Sequence, residues 1–504
     1  MDYMPHSAFE AYPLVLESAE GLNYWDITGK RFFDGIGGIF TVSLGHGHPA
    51  VVEAAKAQLD KMTFAPPMHG IADVTFDFIE KLSNVTPPGM DYVKTYSGAS
   101  EAMESAIKFS RQYWKQSGEP GKFKFISRYQ SYHGATMGAM SASGTGMRKT
   151  PFEPQMPGFL KVWPPTYMQE RLPEGTSWEE VNRICAYMFE DVIVNEDPST
   201  VAGIILEPIG NTGGLITPTA EYFEIVRGIC DKHKVLLVVD ETITGFCKTG
   251  HMFGIDAFGV VPDIIVTGKG VSNGIVPLAA MIAQGHMADA FVDDPHSSGA
   301  PSKFFAHGHT FANNPLACAV GSAVLDEMVG QRLDLTAQRN GEIIFQRLSE
   351  MQAKYGCIQE VRGKGVLRGV TLVKDNAATK PEPWPELGTA LKKTALINGL
   401  IIRIDPTWFT VAPAREPRPP YYPFPLSILC LHPVPPSCSP VGKGSWVTLR
   451  TFPSATTAAA AAAAVTANLR FVTVVCAEET DIEELCDLVE KSLVDALAIA
   501  RACN

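Results

Sequence analysis

Apolar positions along the chain fall into two periods. Short runs that are apolar at successive positions alternate with longer stretches in which apolar residues recur every three to four positions. Val201 to Leu206, Val235 to Val239 and Ile264 to Val266 are runs of the first kind. A strand apolar on both faces belongs in a buried parallel sheet covered by helices. Phe123 to Ser127 reads as a further strand. Tyr92 to Gly98 leads through Ser97, Gly98, Ala99 and Ser100 into a helix whose Ala102, Ala106, Phe109 and Tyr113 share one face. Another helix follows Asn313-Asn314-Pro315 and runs through Met328. The predicted class is α/β.

The ends of the chain carry shorter elements. Leu22 to Asp34 is expected to form a small hairpin turning at Thr28-Gly29, and a helix is expected to start near Pro49. Val361 to Val373 reads as strands, Glu386 to Asn398 as a helix, Leu400 to Ile404 as a strand and Asp481 to about Ala498 as a last helix. These divide the chain into an N-terminal part of a small domain (1–65), a large domain (66–329) and a C-terminal small domain (330–504).

Two polar residues close two of the apolar runs. Asp240 ends the first, and Thr267-Gly268-Lys269-Gly270 follows the second. In open α/β sheets ligands lie beyond the carboxyl ends of the strands, so both residues should face one crevice. Taken singly, the aspartate is a turn or capping residue and the lysine a solvated one. Together they carry more, because a desolvated lysine with glycines on both sides can lose its proton and form a Schiff base. Ser97 to Ser100 leave backbone N–H groups bare at a helix start, where unpaired donors and the helix dipole favour a phosphate.

Composition narrows the partners. A net charge of −12 and a pI near 5.5 exclude nucleic acid and anionic membrane, both of which need clustered Lys and Arg. The N-terminus has the layout of neither a signal nor a transit peptide, so the expected location is cytoplasmic. Ten cysteines without a CxxC read as buried free thiols, with neither disulfides nor a metal site. His46 and His48 lack a third ligand at zinc-like spacing and precede the helix at Pro49. No GxGxxG follows an early strand, which disfavours a dinucleotide-binding dehydrogenase.

The combination Asp240-Glu241, Gly245, Thr249-Gly250, Pro262-Asp263, Lys269-Gly270, Gly274 and Pro277-Leu278 resembles class III (ω-type) aminotransferases, which use pyridoxal 5'-phosphate (PLP). The interval between Asp240 and Lys269 is similar to the family's. The resemblance implies PLP fold type I: a large domain with a mostly parallel seven-stranded sheet flanked by helices, and a smaller α+β domain. It implies transamination by a ping-pong route through an internal aldimine on Lys269, from an amine or ω-amino acid donor to a keto acid or aldehyde acceptor.

It also implies roles. Asp240 pairs with the ring nitrogen, Ser97, Gly98, Ala99 and Ser100 form the phosphate cup, Tyr132 lies over the ring face, and Glu207 of Glu207-Pro208 supports the phenolic-oxygen side. Thr310 reaches the neighbouring subunit's phosphate, which implies a homodimer with shared sites. Phe40 and Tyr132 form the substrate pocket and Arg403, ahead of the weaker candidate Arg368, takes a substrate carboxylate. Asp240-Glu241-Thr242-Ile243 departs from the common pattern, so Thr242 packs on the ring where Val is usual and Ile243 supplies no amide beside the phenolic oxygen. Cys247-Lys248 replaces the frequent Gly-Arg, and Ser272-Asn273-Gly274 leans to the ω-amino-acid branch. The same fold hosts decarboxylases and aminomutases.

One block fits neither period. Val411 to Asn468 holds 11 of the 37 prolines, a single acidic residue, Glu416, and a run of seven alanines from Ala458 to Ala464. Its ends can be joined to restore the family pattern, with Arg470 to Val475 as the partner of the strand near Arg403. It reads as an insertion, of the kind a translated retained intron would leave, and as an exposed disordered loop. Such a block could also disable the enzyme and leave a scaffold protein.

Overall fold

The structure, a computed structural model, describes residues 14–293, 303–407, 466–472 and 475–502. They belong to one compact unit, Met1–Trp408 with Thr466–Asn504. Its centre is a seven-stranded sheet. The strands are β4 (Tyr92–Tyr96), β5 (Lys124–Arg128), β6 (Phe159–Val162), β7 (Val201–Leu206), β8 (Leu236–Asp240), β9 (Ile264–Thr267) and β10 (Ala279–Ala283). Their order is β4-β10-β9-β8-β7-β5-β6, and β10 alone runs antiparallel to its neighbours.

The apolar runs are explained by burial on both faces. Every residue of β7, β8 and β9 is buried. Leu237, Val239 and Ile265 pack with Phe189 of the helix Trp178–Asn195 and Phe223 of the helix Ala220–His233. Ile205, Val238 and Val266 face the other way, onto Ala102, Phe109 and Trp114 of the helix Ala99–Gln116. Burying each such aliphatic side chain stabilises the fold by about 1.5–3 kcal/mol. Helices on both faces therefore hold the carboxyl ends of β8 and β9 rigidly side by side.

Two smaller sheets use the ends of the chain. β1 (Leu16–Glu20), β2 (Asn23–Asp26) and β3 (Arg31–Asp34) form a meander, and β13 (Leu400–Ile401) joins β3 in parallel. The expected hairpin at Leu22 to Asp34 is β2 and β3, and Pro49 is the first residue of the helix Pro49–Lys61. The third sheet has the order β11-β12-β15-β14, from β11 (Ile358–Lys364), β12 (Leu367–Leu372), β14 (Arg403–Thr407) and β15 (Thr466–Val472).

Four expectations need correction. Leu400 to Ile404 is not one strand: the chain leaves the first small sheet after Ile401 and enters the third at Arg403. The partner strand is Thr466–Val472, displaced from the expected Arg470 to Val475. The low-complexity block accordingly ends before Thr466, because Thr466, Ala467 and Asn468 pair with Thr407, Pro406 and Asp405. The remainder of the expected loop, residues 411–465, lies outside the described residues. The last helix, Glu479–Ala502, extends beyond its predicted ends.

Candidate active site

The crevice expected at the strand ends is a cavity of about 840 Å³, with Asp240 and Lys269 both in its wall. Asp240 is the last residue of β8, 5% exposed. Its Oδ1 accepts from the backbone N–H of Thr242 at 3.1 Å, and its Oδ2 lies 2.9 Å from Nδ1 of His133. A buried carboxylate needs such partners. His133 Nε2 has none.

Lys269 follows β9 with φ of 50°, a left-handed conformation that a non-glycine residue adopts only when its surroundings impose it. Side chains on its two glycines would crowd the surroundings. A Cβ on Gly268 would lie 3.1 Å from Cβ of Ala99, and one on Gly270 would lie 2.7 Å from Nζ of Lys248 and 3.0 Å from Cβ of Phe246. Asn273 clamps the far end of this turn. Its Oδ1 accepts from the N–H groups of Ser43 and Leu44 at 2.7 and 2.8 Å, and its Nδ2 donates to Gly45 O at 2.8 Å. The N-terminal segment carrying Phe40 is thereby tied to the lysine turn.

Burial pulls the Lys269 amine down to about 8; Arg403 and Arg148 push the same way, while Asp240 and Glu207 oppose them. Lys248, buried behind Gly270, is likewise lowered by burial, to about 7, and donates to Gly245 O at 3.2 Å. Glu207, one residue past β7, is raised to about 7 by burial. Its Oε1 accepts from the N–H of Tyr132 at 3.4 Å, and its Oε2 has no partner.

The other expected residues converge on the same space. Ser97, Gly98, Ala99 and Ser100 line it at the start of the helix Ala99–Gln116. One donor there is taken, since Ser97 N–H bonds Glu101 Oε2 at 3.1 Å. Ser100 Oγ accepts from Ala135 N–H at 3.1 Å, which seats the helix start against the loop carrying Tyr132 and His133. Phe40, Tyr132, Thr242 and Arg403 also line the cavity. Arg148 lies 4.7 Å from the centroid of Tyr132, and Arg403 5.8 Å from that of Phe40.

Two expected residues are not in this wall. Arg368 donates to Gly365 O and Gly363 O, as part of a turn. Thr310 is exposed and lies outside the cavity of its own chain. Conversely, sequence reasoning passed over His133, Arg148 and Asn211. His133 is the residue after Tyr132, and its contact with Asp240 spans 107 positions, which no local pattern reveals.

The arrangement fits PLP on the chain's own atoms. It offers an amine of lowered pKa, a buried carboxylate on a second strand end, and bare N–H groups at a helix start. Unpartnered buried polar atoms at His133, Glu207 and Asn211 cluster in the same region. Among the described residues no group of His, Cys, Asp or Glu could hold a metal.

Residues 3–413 match the family model of class-III aminotransferases, a match that stops just inside the low-complexity block. The chain is 36% identical over 377 residues to a probable aminotransferase of Mycobacterium tuberculosis, covering 75% of this chain and 78% of that protein. It is 31% identical over 419 residues to an omega-aminotransferase of Caulobacter vibrioides, covering 82% and 92%. A solved amine transaminase from an uncultivated Pseudomonas species, in PLP-bound form, superposes with a TM-score of 0.77 at 27% identity, covering 98% and 97%.

Proposed function

The chain belongs to the class III aminotransferases, PLP-dependent enzymes of fold type I, and from that premise we propose that it moves an amino group from an amine or ω-amino acid to a keto acid or aldehyde. The observation that carries this is the placing of Asp240 and Lys269 at the ends of adjacent parallel strands, facing one cavity with the helix start at Ala99. The likeness to an omega-aminotransferase and an amine transaminase supports the choice of donor.

Bound PLP supplies an electron sink for the carbon that bears the amine. The chain's residues do the rest. Asp240, oriented by His133, would hold the proton of the ring nitrogen by a charge-assisted bond. Lys269 Nζ would hold the cofactor and, when free, would act as the base that moves the substrate's proton. Ser97, Gly98, Ala99 and Ser100 receive the phosphate. Tyr132 and Thr242 bound the ring, Glu207 stands at the phenolic side, and Phe40 with Arg403 orients the substrate, a carboxylate suiting the planar guanidinium. Because the carbonyl product leaves before the acceptor enters, the kinetics are ping-pong.

Thr310, exposed at the surface, completes the partner's phosphate site in a homodimer. The large domain spans 66–329, and the small domain combines 1–65 with 330–504. Free thiols at all seven described cysteines suit a cytoplasmic enzyme, and among the described residues no helix is long and apolar enough to cross a membrane.

The test is direct. Purified protein should absorb in the visible, lose that absorbance on adding an amine donor, and release a carbonyl product in proportion. Lys269→Ala should abolish all three. Colourless wild-type protein that takes up no PLP would sink the proposal.

A further inference from the structure

Asn211 has no part in the chemistry above, yet it stands in the wall of the same cavity. It lies four residues beyond Glu207, is 2% exposed, and its Oδ1 is buried without a hydrogen-bond partner. Native proteins give such groups a protein, water or ligand partner. The loop that carries it is pinned. Gly210 and Ile216 exchange both backbone hydrogen bonds, at 2.8 and 3.0 Å, and Asn211 O accepts from Gly214 N–H at 3.0 Å.

Asn211 and Glu207 line the same cavity, and the residue before Asn211, Gly210, approaches the Glu207 carboxyl. A Cβ on Gly210 would lie 3.4 Å from both Glu207 Oε2 and Arg128 Nη2. Arg128 Nη1 and Glu207 Oε2 are themselves buried and unpartnered. The loop after Asp240, meanwhile, presents only hydrocarbon to the cavity at Ile243.

We infer that Asn211 is a cofactor-positioning residue whose side-chain amide donates to the phenolic oxygen of PLP, a contact Ile243 cannot make. That oxygen is an acceptor, and an N–H donor beside it would fix the tilt of the ring. Asn211 Oδ1 and Arg128 Nη1 are each without a partner, so neither satisfies the other. Amide oxygen and nitrogen are assigned from hydrogen-bond networks, so the side chain can take either orientation. The Glu207 carboxyl, whose proton affinity burial raises, lines the same cavity.

The inference rests on the PLP-dependent reading, and its test therefore reads cofactor binding and not turnover. Equilibrium dialysis and visible absorbance of the holoenzyme are compared for wild type and Asn211→Ala. The variant should release PLP with a dissociation constant raised about tenfold, the worth of one hydrogen bond to a charged acceptor. Its absorbance maximum should shift as well.

Adding Ile243→Gln to Asn211→Ala should restore most of both, by supplying an amide from the other loop. Should Asn211→Ala not fold, the isosteric Asn211→Asp, which removes the donor, carries the same comparison with and without Ile243→Gln. Unchanged affinity and absorbance would mean that an internal water satisfies the amide, and would overturn the inference. So would a loss that Ile243→Gln does not repair. Failure of the wild type to bind PLP would instead strike the cofactor assignment itself.

Discussion

At the scale of single residues, the site works by keeping charge out of water. Lys269 would be an ammonium at any physiological pH if it were exposed; enclosed, its amine is neutral from about pH 8 upward. The rate at which apoprotein takes up PLP covalently should therefore rise with pH and level off above about 8, where a solvated lysine would go on rising toward 10.5. Stopped-flow absorbance checks this, and a rate still climbing at pH 9.5 would refute it. Glu207 has the opposite sign. Burial raises its carboxyl from the unfolded value of 4.5 to about 7, so the group costs folding stability as pH rises through that window, fully so above it. Glu207→Gln keeps an acceptor for Tyr132 N–H. It should melt a few degrees above wild-type apoprotein at pH 8, with the gap closing by pH 5. Equal melting temperatures at both pH values would show that the carboxyl is ionised in the fold at no cost.

At the scale of elements, the site depends on how closely the helix Ala99–Gln116 approaches the end of β9. Gly268 is extended, so alanine there brings no backbone strain; what it brings is a Cβ 3.1 Å from Cβ of Ala99. Gly268→Ala should destabilise the apoprotein by about 1–3 kcal/mol, the usual cost of overpacking. It should also loosen the phosphate end of the cofactor, because the helix start must retreat. Urea unfolding and PLP dialysis would report both, and a neutral variant would mean the contact relaxes freely. These elements were legible in the sequence. Runs apolar on both faces marked β7, β8 and β9 to within a residue, because burial on two sides leaves no polar position to mislead. Leu400 to Ile404 was misread because Leu400, Ile401, Ile402 and Ile404 stay apolar although the chain changes sheets between them, and periodicity is blind to a change of partner that leaves the apolar run unbroken. His133 was missed because its meaning comes from Asp240, 107 positions away, and Asn211 because no local pattern shows that its side chain stands in the cavity wall.

At the scale of the whole molecule, the segment between β14 and β15 is where the match to the family model stops. The match to class-III aminotransferases ends at residue 413, and the two strands flanking the segment pair in register from Arg403 with Arg470 to Thr407 with Thr466. Antiparallel strands whose last partners face each other need only a tight turn to join them. Residues 408–465 therefore lie on a connection that the sheet does not require. Replacing them by a short Asn-Gly turn should leave a protein that folds, keeps β14 beside β15, and holds Arg403 at the cavity wall. Loop-closure entropy changes only slowly with length, so removing so long a connection should raise the unfolding free energy by about 1–3 kcal/mol. PLP affinity should be unchanged, because no cofactor contact proposed for Asp240, Lys269 or the helix start at Ala99 uses the segment. Calorimetry and dialysis on the two proteins decide this. An excised protein that is insoluble or has lost PLP binding would show that the segment is part of the folding unit, and that the family pattern cannot be restored by joining its ends.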